Sequence, residues 1–354
     1  SSFLMLKLSS LTLITALTAS TAIADTFTIT SGSATNAGNT VNGSDTVNIS
    51  GALNTGSTAN ESAIETTGGT NIINLLTAGS ITTAGTSSNG IYNNGDNNTN
   101  SISGSIATSG GSAEGINNVG DENTNTITGS ITSTGASATG VYNYGGGNST
   151  KVSGTITTSG ENADGVWSGH GTGTSNTVSV TGSITTTGDK SSGIEFYGAT
   201  NSATISGTIN SSGTDTSALR NQNGNGNSFQ LNEGAIIIGD ILAIGGSTVT
   251  NGKLIFNLGE GTSYAYSVSG NGSGTGAGQW TFSDLDGRTQ GISTTGSGCN
   301  LSIANANTST CNLVTAVTPG NIEAQNELQY SSNRSFINSL NFGLAKDRSS
   351  GKGV

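Results

Sequence analysis

Between residues 98 and 106 the chain alternates strictly between two kinds of position. Asn98, Asn100, Ile102, Gly104 and Ile106 share one parity, and Thr99, Ser101, Ser103 and Ser105 take the other. A period of two predicts a β-strand with one buried face. A corner at Gly110 and a second apolar segment, Gly115-Ile116-Asn117-Asn118, complete the unit. The pattern returns 25 residues later, with Asn123, Ile127, Gly129, Ile131, Gly135, Gly140, Val141 and Asn143 in the equivalent places. The glycine in the middle of the long strand recurs at 51, 79, 104, 129, 154, 182, 207 and 234, which gives eight copies. Self-similarity at this period is the mark of a solenoid.

The columns show what faces inward. Ile91, Ile116, Val141, Val166, Ile194 and Leu219 align, and two residues on come Asn93, Asn118, Asn143, Ser168, Phe196 and Asn221. Gly85, Gly110, Gly135, Gly160, Gly188 and Gly213 punctuate the corners, where they are expected to supply positive φ. No helical spacing of apolar residues occurs in this region. Each coil holds only three or four inward apolar side chains, so it must be stabilised by stacking on its neighbours at roughly 4.8 Å per coil. Inward asparagines suit such a stack, because each amide can donate to one neighbour and accept from the other. The fold class expected is all-β: a right-handed parallel β-helix of about eight coils of ~25 residues with a C-terminal β cap.

Four segments follow. Residues 1–24 read as a signal peptide: Met5-Leu6-Lys7, an apolar run from Leu8 to Ala19, and the small-x-small site Ala22-Ile23-Ala24. Because the chain opens on Ser1, the natural start is expected at Met5 or upstream. Residues 25–233 form the repeat body. Residues 234–318 carry denser, more aromatic strands around Ile236-Ile237-Ile238, Leu254 to Leu258, Tyr264 to Val268 and Trp280, as expected where a solenoid closes its open end. Within this cap Cys299 and Cys311, with eleven residues between them, predict a disulfide in an exported chain. Residues 319–354 follow the single proline, Pro319, and read as a linker-like tail.

Composition narrows the function classes. Charged residues are 9% and aromatics 5%, against 56 glycines. Disorder would not keep isoleucine in register through eight copies. The net charge is −11, and four of the ten basic residues (Arg334, Lys346, Arg348 and Lys352) fall in the last 21 positions. The repeat body therefore lacks the basic stripe that nucleic-acid binding needs.

This order of parts resembles a bacterial autotransporter of the classical monomeric type. The resemblance rests on the signal-like start, the β-helical body, Gly234 to Ile241 with Leu254 to Leu258 as an autochaperone-like cap, and the tail from Asn321. It implies a passenger exported to the cell surface or beyond, acting as a structural or adhesive rod. Its implied partners are the outer-membrane translocation machinery and a host or neighbouring cell surface or glycan. The membrane barrel of that family, about twelve strands, is not covered, since only 35 residues follow Pro319.

Candidate chemistry is sparse. Two acidic residues, Glu114 and Asp164, fall in an expected outward column with Asn89, Thr139 and Ser192. They lie two coils apart and read as solvated, with no basic partner expected nearby. A Ser-His-Asp triad could draw only on His170, and no nucleophile elbow accompanies it. No cofactor motif or metal-ligand spacing is present, and Asn94-Gly95-Asp96 only loosely resembles a calcium repeat. An extracellular polysaccharide-acting enzyme is the alternative function, to be distinguished by a cleft with converging carboxylates. An ice-binding face is a further alternative, from the outward rows Ser101-x-Ser103-x-Ser105 and Thr126-x-Thr128-x-Ser130, although Lys151 interrupts it.

The outward column Tyr92, Asn117, Tyr142, Trp167, Glu195, Arg220 is the candidate contact surface, with Glu195 and Arg220 expected as a weak surface pair. Val166 to Asn176 runs ten residues where other coils run seven, and this insertion holds the single His170. Tyr92, Tyr142, Trp167 and His170 are thus the candidate ligand or partner contacts.

Overall fold

A computed structural model describes residues 26–29, 39–41, 43–170, 174–222, 224–245, 250–257, 263–272, 278–287, 292–295, 304–305 and 311–317. All regular elements among them are strands. The segments 1–24 and 319–354 and Cys299 lie outside the described residues. Cys311 opens the strand Cys311–Val317, but its side chain is likewise outside them.

The chain winds as a β-solenoid of parallel sheets. The strand expected across Gly104 is in fact two, Thr99–Ile102 and Ser105–Thr108, so each coil has three strands where the repeat pattern suggested two. The alternation survives because the Ser103-Gly104 corner takes up two residues, an even number. Ile102, Ile106 and Thr108 are all buried, while Ser103 and Ser105 are exposed. The third strand is the short one, Ile116–Asn118.

Three sheets result. The first has twelve strands, from Thr26–Ile29 to Ala304–Asn305; the second has eight, from Ala52–Asn54 to Ile236–Ile238; the third has twelve, from Asn39–Val41 to Ile292–Thr295. The eight strands of the second sheet define eight complete coils. They match the eight repeating glycines, each of which lies just ahead of one of them. Parallel pairing runs in register through the repeat body, as in Ile81, Ile106, Ile131, Ile156, Ile184 and Ile209, and shifts between Ser217 and Leu219 where Ser217–Gln222 meets Asp240–Gly245.

This register stacks identical side chains into a continuous core. Burying one isoleucine stabilises by about 1.5–3 kcal/mol, whereas fixing one residue's backbone costs about 1–2 kcal/mol. A coil with a handful of apolar side chains therefore cannot order its own ~25 residues. Its backbone must pair with the coils above and below.

Two asparagine columns brace the stack. Inside the third sheet, Asn93 Nδ2 donates to Asn118 Oδ1 (2.7 Å), and Asn118 Nδ2 donates to Asn143 Oδ1 (2.7 Å). At the corner before the first sheet, each asparagine's Oδ1 accepts the backbone N–H of its counterpart one coil earlier. Thus Asn98 N donates to Asn123 (2.8 Å), Asn123 N to Asn148 (2.8 Å) and Asn148 N to Asn176 (2.8 Å). Corner N–H groups that miss the sheet ladder find a partner this way.

The corner glycines have a different role from the one expected. Gly110 and its column do not adopt positive φ; that conformation belongs to Ser87, Ser112, Ser137, Asn162, Lys190 and Asp215, two residues further on. A Cβ on Gly110 would overlap the Gly85 carbonyl of the coil below, and the same holds along the column. The requirement is close backbone approach, which only glycine permits.

Beyond Gly234 the strands lengthen, to eight residues in Thr250–Asn257 and ten in Ser263–Gly272. From Phe196 onward aromatic rings join the aliphatic side chains of the core: Phe196 stacks on Phe229 (4.6 Å between centroids), and Phe229 meets Trp280 edge-on (5.9 Å, 61°). Antiparallel pairs then end the parallel stack, with Cys311–Val317 lying between Ser263–Gly272 and Ile292–Thr295.

Candidate functional site

The outer face of the third sheet carries the candidate residues. Parallel register aligns Glu65, Tyr92, Asn117, Tyr142, Trp167, Glu195 and Arg220 in one column. Tyr142 and Trp167 stack with centroids 4.4 Å apart and planes at 9°. Two residues further along the same parity stand Tyr144 and Tyr197, which the sequence reading passed over. The enlarged coil places His170 between them, stacked on Tyr144 (4.9 Å, 16°) and on Tyr197 (5.7 Å, 11°). Trp167 also stacks with Tyr197 at 5.8 Å, so five rings make one cluster.

Of the four expected contacts, Tyr142, Trp167 and His170 come together here; Tyr92 stands two coils away from Tyr142, beyond Asn117. Trp167 is only 9% exposed; Tyr142 and Tyr197 are half-buried, and the rings most open to solvent are Tyr144, at 40%, and His170. Tyr144 and Tyr197 were recoverable from sequence, since each follows the outward column by two residues and shares its parity.

The polar column beside the rings corrects two expectations. Asn89, Thr139, Asp164 and Ser192 are buried, and Glu114 is largely so. Their side chains brace the corner. Asn89 Oδ1 accepts the Glu114 N–H (2.8 Å), and Asp164 Oδ1 accepts the Ser192 N–H (2.5 Å). Nor are Glu195 and Arg220 a weak surface pair. Arg220 Nη1 lies 3.4 Å from Glu195 Oε2, with side-chain exposures of 21% and 8%. Ser192 Oγ donates to Glu195 Oε2 (3.3 Å), and the Trp167 indole bonds to the same carboxylate.

Burial dominates the electrostatics. It pushes Glu114 up to about 7, with the Asn117 amide pulling the other way. Asp164 is raised well above the usual carboxylate range, first by burial and then by the Glu195 charge; the Ser192 hydrogen bonds and Arg220 oppose this. Glu195 is raised by burial against Arg220, Ser192 and Trp167. Tyr142 is pushed up to about 12 by burial, with Glu114, Tyr144 and Asp164 adding to the rise.

A comparison with known proteins finds no matching family model, no matching curated protein and no matching solved structure. The chemistry must therefore be read from the site. Its stacked rings, mostly neutral hydroxyl and amide groups and protected carboxyls suit recognition of a surface with C–H faces and hydroxyls.

Proposed function

We propose that the chain is the passenger of a bacterial autotransporter: an exported rod, displayed at the cell surface, that makes adhesive contact through the aromatic face of its third sheet. The observation that carries this reading is the five-ring cluster on the outer face of the third sheet. A stack of coils supplies length and stiffness at low sequence complexity, and about eight coils span roughly 40 Å. The signal-like segment and the cap at 234–318 support export.

Binding is favoured over turnover, because two of the three carboxyls beside the rings, Asp164 and Glu195, are already engaged. Asp164 braces the Ser192 amide, and Glu195 is held by Arg220, Ser192 and Trp167. These contacts orient the Trp167 ring and leave neither carboxylate free as nucleophile or base.

The test is to express the gene with its downstream coding sequence in a bacterial host that has an outer membrane. The expected outcome is a protease-accessible passenger on intact cells and amphipathic strands encoded past Val354. Adhesion should fall in the Tyr144→Ala, His170→Ala double variant, which removes the two exposed rings and spares the buried Trp167. A passenger retained inside the cell, or adhesion unchanged with folding intact by circular dichroism, would remove this reading.

A further inference from the structure

The outward rings form an unbroken chain. Between centroids, Tyr144 lies 6.3 Å from Tyr142, Tyr142 4.4 Å from Trp167, and Trp167 5.8 Å from Tyr197, with the planes of each pair within 30° of parallel. Rings this close are in π-contact, so an electron lost from one is refilled from the next. The chain has one open end. Tyr144 is 40% exposed, while Tyr92, Tyr142 and Tyr197 are half-buried, so it is the most accessible tyrosine among the described side chains. The turn after it, Gly145-Gly146-Gly147, contributes no side chain to shield the ring.

Proton positions favour the same end. The Trp167 indole N–H bonds to the carboxyl of Glu195, which is paired with Arg220. One-electron oxidation makes an indole N–H strongly acidic, so Glu195 takes that proton and returns it when the electron is refilled. Tyr142 is a poor resting place for the vacancy: burial pushes its phenol up to about 12, and little water is there to accept the proton. The exposed Tyr144 phenol releases its proton to bulk water. We propose that Tyr144 is an oxidative coupling site, forming a dityrosine bond with Tyr144 of a second copy of this chain when an enzyme of the haem-peroxidase class supplies hydrogen peroxide as the oxidant.

The step balances. Each Tyr144 gives up one electron and its phenolic proton. The two radicals join through ring carbons ortho to the hydroxyls, and the hydrogen on each joined carbon moves to the neighbouring oxygen, which restores two phenols. One hydrogen peroxide takes up the two electrons and two protons and leaves as two waters. Coupling within one chain is disfavoured. Tyr142 stands two residues away on the same outward side, its centroid 6.3 Å from that of Tyr144, farther than two directly bonded rings can be, and its strand is paired on both sides. A second copy meets no such restraint. The bond would tie one rod to its neighbour at the aromatic face, a covalent self-association beyond the adhesive contact proposed above.

The experiment treats the purified full chain with horseradish peroxidase and hydrogen peroxide, follows dityrosine fluorescence and covalent dimer on denaturing gels, and maps the bond by mass spectrometry. The parent should give a dimer joined Tyr144 to Tyr144. Tyr144→Phe keeps the ring and its stacking, so the thermal midpoint should stay level while dimer and fluorescence are lost; Tyr92→Phe, outside the chain of rings, should cross-link like the parent. A second arm tests the link to the buried rings. Illumination with a ruthenium polypyridyl complex and persulfate oxidises aromatic rings one electron at a time. Trp167 should be spared in the parent and converted to oxygenated products in Tyr144→Phe, because the vacancy no longer has an exit. Dimer retained in Tyr144→Phe, a bond mapped to another tyrosine, a Tyr142–Tyr144 bond within one chain, or Trp167 oxidation unchanged by the variant would overturn the proposal. Export plays no part in either arm, so failure here leaves the passenger reading standing, and failure of display leaves the coupling site standing.

Discussion

Tyr142 and Trp167 are 25 residues apart in the chain, yet their rings lie 4.4 Å apart and within 9° of parallel. Nothing local brings them together. The repeat period converts sequence distance into one coil step, and identical outward positions then meet face to face. Trp167 is the hub, since it touches Tyr142, Tyr197 and His170 and also bonds to Glu195.

Trp167→Ala should therefore lower stability by about 3–5 kcal/mol, through the lost ring burial and the loss of one of the donors to buried Glu195. Tyr144→Ala, at the exposed edge of the same cluster, should cost about 1 kcal/mol or less. Urea unfolding of the two variants checks this; equal midpoints would show that the cluster has no hub.

Parity can be tested one residue at a time. Ile131 is fully buried in the second sheet, and Ser130 beside it faces outward. Ile131→Asp removes a buried apolar contact worth about 1.5–3 kcal/mol and strands a carboxylate, so it should unfold its own coil and destabilise both neighbours. Ser130→Asp should be nearly silent. Similar thermal midpoints for the two would contradict the alternation on which the fold rests.

The corner glycines permit a test that separates sterics from backbone conformation. Gly110→Ala puts a Cβ into the Gly85 carbonyl and should cost several kcal/mol, because the adjacent backbone cannot retreat without breaking its pairing. Ser112→Gly relieves a positive φ of 50° and should be neutral or stabilising by about 1 kcal/mol. Differential scanning calorimetry of the pair decides it; a mild Gly110→Ala would mean that neighbouring coils part far enough to admit a Cβ.

These glycines also mark where sequence reading stopped. The coil stack, the inward isoleucines and the Asn93–Asn118–Asn143 ladder were legible, because stacking turns every structural requirement into a column of like residues. The reason for each column was less so. A glycine needed for close approach and one needed for positive φ look the same in a string, and the Ser103-Gly104 corner hides because an even number of residues preserves the alternation. Burial on the outside was illegible as well. Asp164 and Glu195 both fell in columns expected to face outward, yet both are buried, and only the fold shows it.

Glu114 sets a pH dependence of definite sign. Its carboxyl is raised from 4.5 to about 7, so between those values the folded chain holds a proton that the unfolded chain has released. Stability should then fall as pH rises through this window, by up to about 3 kcal/mol from this group, and level off above it. The buried Asp164 and Glu195 are shifted in the same direction and steepen the trend. Glu114→Gln should flatten the part between pH 4.5 and 7. Urea midpoints across that range that do not differ in slope between parent and variant would remove Glu114 as the source.

The Glu195–Arg220 pair should behave as a buried unit. At 3.4 Å and with little exposure on either side, each partner is the main compensation for the other's desolvation. Arg220→Met leaves the Glu195 carboxylate beside Asp164 with no cation and should cost about 3 kcal/mol. Protonating Glu195 relieves that cost, so the loss should be larger at pH 8 than at pH 5. Glu195→Gln alone should be milder, since the amide still accepts from Ser192 and Arg220 keeps 21% of its side chain in water. In the double variant Arg220→Met, Glu195→Gln the penalty of the lone carboxylate is gone. Its loss should fall short of the sum of the singles by at least about 1 kcal/mol. A double-mutant cycle at both pH values measures this. Strict additivity, with no pH effect on Arg220→Met, would mean that solvent screens the pair and that Trp167 is oriented without it.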